Sequence, residues 1–135
     1  MSRLPRVQAI VIPILREAFP DTKVGSWIED IDHRTFPMLN VRRLGGTRHE
    51  TRPTELGFPV IELTAFGTEG GPETEQLYED ALEALYDAVK TQKQTPAGYL
   101  HSIRENMGAT QFSSLFQDSW RVQGLIRLGI RPPNP

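Results

Sequence analysis

The sequence predicts an α+β domain, in which a mostly antiparallel sheet carries two helices packed on one face. The pattern of hydrophobic residues changes along the chain in the order helix, strands, long helix, strands. This order is typical of α+β domains and differs from the regular alternation of parallel α/β folds. The 11 Gly and 11 Pro in 135 residues indicate several turns and hairpins, which favours a mixed fold over a helical bundle.

Two segments show the apolar spacing of a helix. The first covers residues 4–19, although Pro13 in its interior is expected to kink it. The second covers residues 72–93, where Pro72 suits the first helical turn and acidic residues follow it. One apolar stripe runs along this second helix, and it consists of Tyr78, Ala81, Leu82, Leu85 and Val89.

Five segments have the composition or alternation of strands, namely residues 23–28, 38–44, 60–66, 99–106 and 120–131. The last alternates most regularly, with apolar side chains on one face and Arg121, Gln123, Arg127 and Arg131 mostly on the other. This charged sheet face is expected to be wet or covered by another subunit.

The segments between the strands are expected to be irregular. Gly45-Gly46 is expected to end the second strand and Pro59 to open the third. We expect loops at 29–34 and 107–118, a loop or irregular hairpin arm at 47–57, and a flexible tail at 132–135.

Length and composition indicate a single domain covering residues 1–135. The net charge is −2, which gives the whole chain no general affinity for nucleic acid or membranes. The absence of Cys excludes disulfides and thiolate catalysis. No stretch approaches the ~20 apolar residues that span a bilayer, so we expect an intracellular protein without a membrane partner.

Each candidate chemical group also has a purely structural interpretation. The glycine-rich turn at 67–71 could bind phosphate, but Pro72 removes an amide and Glu69 and Glu73 would repel the anion. We therefore predict a plain turn. Glu29, Asp30, Asp32 and His33 are possible metal ligands, but their spacing matches no standard loop, so solvated charges are favoured.

The three histidines, His33, His49 and His101, are not accompanied by a nucleophile motif. We therefore assign no catalytic residue, cofactor or metal ligand. A small metal-dependent enzyme using Asp30, Asp32 and His33 remains the remoter alternative.

A basic cluster follows the second predicted strand, and three interpretations of it stay open. It contains Arg42, Arg43, Arg48, His49 and Arg52. The cluster is a solvated strand end, an interface to acidic groups of a neighbouring subunit, or the lining of a channel that meets DNA phosphates. The acid-rich helix at 72–93 is a candidate for the acidic partner, although a solvent-facing polar side explains it equally well.

Two stretches carry a resemblance to a known family. One is Phe36-Pro37-Met38-Leu39-Asn40-Val41-Arg42-Arg43-Leu44-Gly45-Gly46, followed by Thr51-Arg52-Pro53. The other is Pro59-Val60-Ile61-Glu62-Leu63-Thr64-Ala65-Phe66-Gly67, which precedes the acidic helix. Together they resemble tail terminator proteins of siphophages that infect actinobacteria. The first helix and the final strand also lie where that family has them.

The resemblance implies a structural virion protein that is not an enzyme. It implies a homo-oligomeric ring, a hexamer, that caps the tail tube, stops its polymerisation and docks the head-to-tail connector or stopper. Genomic DNA would pass through the lumen without sequence-specific binding, and assembly would take place in the host cytoplasm. The nearest alternative is another head-to-tail joint protein. For the subunit interface or lumen we select Arg42, Arg43, Arg48 and Arg52.

Overall fold

The structure, a computed structural model, describes residues 4–26, 36–112 and 119–135. Its elements in chain order are α1 (Val7–Ala18), β1 (Lys23–Gly25), β2 (Met38–Arg48), β3 (Gly57–Gly67), α2 (Gly71–Thr91), β4 (Tyr99–Phe112) and β5 (Trp120–Arg131). The strands form one sheet in the order β1-β2-β3-β5-β4. Only the β1–β2 pair is parallel among these neighbours, so the predicted α+β fold is confirmed.

The core lies between the two helices and one face of the sheet. Alternate residues of β3 and β5 point into it, and Ile61, Leu63, Ile126 and Leu128 are completely buried. The alternation predicted for β5 is confirmed, since Val122, Ile126, Leu128 and Ile130 all belong to this core. No described helix packs on the opposite side of the sheet, which we call the open face.

Helix α1 is shorter than the predicted 4–19 and contains Pro13. Its buried side chains are Val7, Ile10, Val11, Ile14 and Leu15, whereas Pro13 is exposed. Burying this apolar stripe offsets the hydrogen bond that Pro13 cannot donate. The helix begins after Arg6, which supplies no side-chain cap.

Helix α2 agrees with the prediction of 72–93 to within two residues at either end. It stops early because Gln92 adopts a left-handed conformation with φ of 48°. The amide of Lys93 then donates to the carbonyl of Ala88 over 3.0 Å, a backbone arrangement common at helix ends. None of the described helices is both long and apolar enough to cross a membrane.

The predicted end of β2 at Gly45-Gly46 is wrong. The strand continues to Arg48 through a register shift between Arg43 and Gly46. Gly45 and Gly46 have φ of 78° and 96°, values that glycine adopts at little cost in a bulge. Pairing resumes opposite Pro59, which lies inside β3 instead of opening it. The predicted loop is thereby shortened to a hairpin turn.

The predicted end of the fourth strand at Asn106 is also wrong. Strand β4 continues to Phe112, with register shifts between Glu105 and Met107 and between Met107 and Thr110. Each shift interrupts the alternation that marks a strand in sequence. Residues 113–118 of the predicted loop lie outside the described residues.

The first strand is shorter than predicted, ending at Gly25. The rest of that prediction from residue 27 onward, together with the loop predicted at 29–34, lies outside the described residues.

Candidate functional site: two charged surfaces

Arg42 and Arg43 are neighbours in β2 that point to opposite sides of the sheet. Arg42 lies on the open face, where its Nη2 donates to Glu62 Oε2 over 3.2 Å. Arg43 donates from Nε to the carbonyl of Gly45 over 3.0 Å, which places its guanidinium at the bulge. The first two arginines of the predicted cluster therefore do not form one surface.

Arg48 and Arg52 lie in the β2–β3 hairpin end. Arg48 donates to the carbonyl of Pro53 over 3.1 Å. His49 Nδ1 accepts from the backbone amides of Thr51 and Arg52 over 3.2 and 3.1 Å. His49 therefore orders this turn, and both arginines beside it are exposed. The structure keeps these two arginines in one turn and leaves Arg42 on the strand.

A second group of arginines, which we call the arginine face, lies on the open face of β4 and β5. Its members are Arg104, Arg121 and Arg127. Arg104 and Arg127 are direct cross-strand partners, and Arg121 lies farther along β5. The guanidinium Cζ of Arg127 lies 4.5 Å from the ring centroid of Phe58, and that of Arg121 lies 5.3 Å from the ring centroid of Phe112.

The arginine face lacks acidic partners among residues 4–26, 36–112 and 119–135. The ion pairs described there join Arg42 to Glu62 and Lys93 to Glu17. The Nε of Arg121 is buried and has no hydrogen-bond partner. Like charges directly opposite each other in a sheet are unfavourable, and among the described residues no carboxylate offsets this repulsion.

Apolar side chains lie beside the guanidinium groups of the arginine face. Val60 is the β3 partner of Arg127, and Leu125 is paired with Met107 of β4. These three side chains and Phe58 are half-buried. The open face is therefore a mixed surface of cations and apolar groups, to which Glu62, paired with Arg42, adds one carboxylate. Such a mixture is a composition that protein interfaces favour.

A row of carboxylates, which we call the acidic ridge, runs along α2. Its members recur every fourth residue and are Glu75, Glu79, Glu83 and Asp87. The buried positions of α2 lie on its other side, so this row faces away from the core. Like charges four residues apart on a helix repel each other, and the isolated chain carries this repulsion along several turns.

Glu79 shows the effect of its acidic surroundings. Partial burial raises its pKa above the ordinary value, and the nearby charges of Glu105, Glu75, Glu83 and Asp80 raise it further. Glu105 belongs to β4, so the negative surface continues from the helix onto the sheet edge.

Tyr86 links α2 to this sheet edge. Its hydroxyl donates to Glu105 Oε2 over 2.8 Å, although the side chain is exposed. This hydrogen bond raises the pKa of Tyr86, and it holds one carboxylate of the sheet edge beside the ridge.

Among the described residues, the other predicted chemical candidates form no assembled site. Glu29, Asp30, Asp32 and His33 lie outside the described residues, and His101 is exposed on β4. Within the described part of the chain, no group of three or more His, Asp or Glu side chains is arranged to hold a metal ion. At the glycine-rich turn, α2 begins at Gly71 and Thr74 donates from its hydroxyl to the carbonyl of Gly70 over 2.7 Å.

The arginine face was not predicted from the sequence. The alternation of β5 placed Arg121 and Arg127 opposite the core side chains, and this signal was available. The pairing of Arg104 with Arg127 was not, because it depends on the register of β4 across its bulges.

Comparisons with known proteins give consistent results. The model of a family described as phage tail termination protein matches residues 3–135. The chain is 60% identical over 135 residues to the Gene 22 protein of Mycobacterium phage L5, with coverage of 98% of this chain and 97% of the relative. It is 58% identical over 135 residues to the Gene 22 protein of Mycobacterium phage D29, with the same coverage of 98% and 97%.

One solved structure shares the fold. A chain from the virion of a native gene transfer agent particle superposes with a TM-score of 0.54 at 16% sequence identity. The match covers 93% of this chain and 94% of that chain, so the likeness extends over almost the whole of both folds.

Proposed function

Because this chain belongs to the phage tail termination protein family, we propose that it forms a ring at the end of the tail tube and stops tube polymerisation. Family membership makes the chain a structural protein of a phage tail. The match of the family over residues 3–135 is the observation that carries the proposal. The proposed role is structural, and it assigns no catalytic residue, cofactor or metal.

The distribution of charge supports assembly through self-contact. A closed ring needs two different surfaces of one chain that complement each other, because each subunit contacts its two neighbours through different patches. The acidic ridge lies on α2, whereas the arginine face lies on the side of the sheet that neither described helix covers. A single subunit of this kind offers one surface of each sign.

The proposed partners follow from this role. The ring, a hexamer, binds the last layer of tail tube protein with one side and the head-to-tail connector or stopper with the other. Genomic DNA passes through its lumen without sequence-specific contacts, and the ring assembles in the host cytoplasm before it becomes part of the virion.

The hairpin arginines are proposed as contacts of this ring. Arg48 and Arg52 project from an exposed turn, and Arg43 lies at the bulge beside it. These positions suit contact with a neighbouring subunit or with the lumen. The substitution Arg43→Glu combined with Arg52→Glu should disrupt the ring and the control of tail length. Unchanged rings and tails of normal length would remove these residues from the proposed interface.

The function is tested by adding the purified chain to polymerising tail tube protein from the same phage. Electron microscopy should show tubes with a ring at one end and no further growth after more tube protein is added. Continued elongation at a saturating concentration of the chain would refute the terminator role. Labelling the chain in whole particles separates a terminator, which touches the tube, from a stopper, which touches only neck proteins.

A further inference from the structure

We infer that the acidic ridge of one copy docks on the arginine face of the next copy. This inference rests on the proposed ring and names the contact that builds it. The two surfaces are the carboxylates at 75, 79, 83 and 87 of α2 and the guanidinium groups of Arg104, Arg121 and Arg127 on the open face.

The arginine face gathers positive charges that pair with no carboxylate among the described residues. Arg104 and Arg127 are cross-strand partners of like charge, and the ion pairs of the described residues lie elsewhere. Helix α2 packs against the opposite side of the same strands, so the ridge cannot reach the arginines within one molecule. The carboxylates of the ridge can therefore meet these arginines only from a second molecule.

The acidic ridge needs cations for a matching reason. Its four carboxylates lie at successive four-residue intervals, and burial together with these neighbours already disfavours the charged form of Glu79. Lys90 is the basic residue in the last turn of α2, beyond the ridge. Docking on guanidinium groups adds attraction between the acidic ridge and the arginine face, and this attraction offsets the repulsion within each surface.

The two surfaces also agree in length. Twelve residues separate Glu75 from Asp87, which is about 18 Å along a helix. Six residues separate Arg121 from Arg127, which is about 20 Å along a strand. The acidic ridge and the arginine face therefore have similar lengths.

The apolar groups favour a protein helix over DNA as the occupant. Leu125 and Met107 lie between the Arg104–Arg127 pair and Arg121, Val60 lies beside Arg127, and all three are half-buried. Duplex DNA would meet this surface with phosphates and sugars and leave these side chains against water. A helix offers apolar and aliphatic side-chain surface beside its carboxylates, and an exposed Tyr86 flanks the ridge. DNA binding at this face is the competing outcome of the test.

The contact is tested by reversing each surface separately in the full chain. Variant one carries Arg104→Glu and Arg127→Glu, and variant two carries Glu79→Arg and Glu83→Arg. Sedimentation velocity over a concentration range, at low and high salt, measures self-association. Each variant alone should self-associate roughly tenfold or more weakly than wild type, whereas a 1:1 mixture should recover assembly. The mixture restores complementary charge at both kinds of contact.

Matched controls place the same charge changes elsewhere on the surface. Arg6→Glu and Asp21→Arg alter exposed residues at α1 and the turn after it, and they should leave self-association unchanged. Circular dichroism establishes that each variant is folded. The inference would be overturned if both charge-reversed variants assembled like wild type. It would also be overturned if both variants were folded but their 1:1 mixture did not assemble.

A crosslinking measurement covers weak self-association. Arg127→Lys keeps the charge and introduces an amine, and a carbodiimide joins amines to carboxylates in direct contact. Mass spectrometry should find this amine joined to a residue of the segment 75–87 in the dimeric product. Absence of this link at millimolar protein would overturn the inference. The inference would also be overturned if variant one lost binding to duplex DNA while its self-association stayed the same as that of wild type.

These results separate the contact from the function. If the wild-type chain caps tubes and both charge-reversed variants self-associate like wild type, the terminator role stands and the proposed contact is refuted. Recovery in the mixture without capping of tubes would establish the contact and refute the terminator role.

Discussion

The contact between Gly124 of β5 and Tyr78 of α2 sets the distance between helix and sheet. Tyr78 is completely buried, and its hydroxyl lies directly over Gly124. A Cβ added at Gly124 would overlap this hydroxyl and lie 2.7 Å from both Tyr78 Cζ and the carbonyl oxygen of Met107. Since one of these atoms is backbone, a rotamer change of Tyr78 alone cannot make room. We predict that Gly124→Ala destabilises the fold.

The magnitude follows from two opposing effects. Inserting a methyl group into a packed core costs roughly 1–3 kcal/mol. Replacing Gly by Ala inside a strand returns about 0.5–1 kcal/mol of backbone entropy. Subtracting the second range from the first gives a net loss of at most about 2.5 kcal/mol. Because the added Cβ would overlap both a side-chain and a backbone atom, we expect the upper part of this range, about 1–2.5 kcal/mol, equivalent to a fall in Tm of roughly 4–9 °C for a domain of this length.

Urea unfolding of wild type and variant, followed by circular dichroism, measures this loss. The matched control is Gly108→Ala in β4, where an added Cβ meets only Glu105 Oε1 at 3.9 Å. This control should change stability by less than about 1 kcal/mol. Combining Tyr78→Phe with Gly124→Ala should recover part of the loss, because it removes the overlapping oxygen. If Gly124→Ala were as stable as wild type, the proposed close packing of Tyr78 on Gly124 would be refuted.

Three further predictions concern single groups. The raised pKa of Glu79 means that its charged form opposes folding. Glu79→Gln should therefore raise the free energy of unfolding at pH 7 and leave it unchanged below about pH 4, where Glu79 is protonated. Urea titrations at both pH values check this. The hydrogen bond of Tyr86 to Glu105 raises the pKa of Tyr86, so it stabilises the fold below about pH 10 and this stabilisation is lost as the pH rises through the raised pKa. Tyr86→Phe should therefore reduce the fall in stability at alkaline pH, measured by urea unfolding. Gly46→Ala should destabilise more than Gly45→Ala, since an added Cβ at Gly46 lies 2.7 Å from the amide nitrogen of Val60 whereas that at Gly45 meets nothing within 4 Å; thermal melts of both variants compare them.

Elements with uninterrupted periodicity are the ones that the sequence predicts well. Strand β5 spans the predicted 120–131, and α2 departs from its predicted bounds by no more than two residues. In both, one face is buried along the whole length, so the apolar pattern records the burial directly. The exposed Pro13 of α1 shows the same dominance of tertiary burial over local propensity.

Bulges explain the two strands that the sequence underestimates. Each register shift inserts an extra residue and moves the following side chains to the other face. The pattern of β2 therefore breaks at Gly45 and Gly46, and that of β4 breaks after Glu105. In both cases a broken pattern resembles a loop, although strand pairing continues beyond it.

The charged surfaces show the same limit. Arginines close in sequence, such as Arg42 and Arg43, project from opposite sides of one strand. Arg104 and Arg127 are distant in sequence and become direct partners. Counting charges along the chain finds a cluster, but pairing and register decide which charges share a face.

The acidic ridge and the arginine face both oppose the stability of an isolated chain, since each gathers like charges that form no ion pair with another described side chain. A purely structural role for Glu79 predicts that Glu79→Gln affects stability alone. The proposed docking predicts opposite effects of this one substitution, a more stable monomer and a weaker self-association, because removing the charge relieves repulsion within the ridge and removes attraction to Arg104, Arg121 or Arg127 of the neighbour. Opposite signs in the two measurements would separate a contact residue from one that only supports the fold.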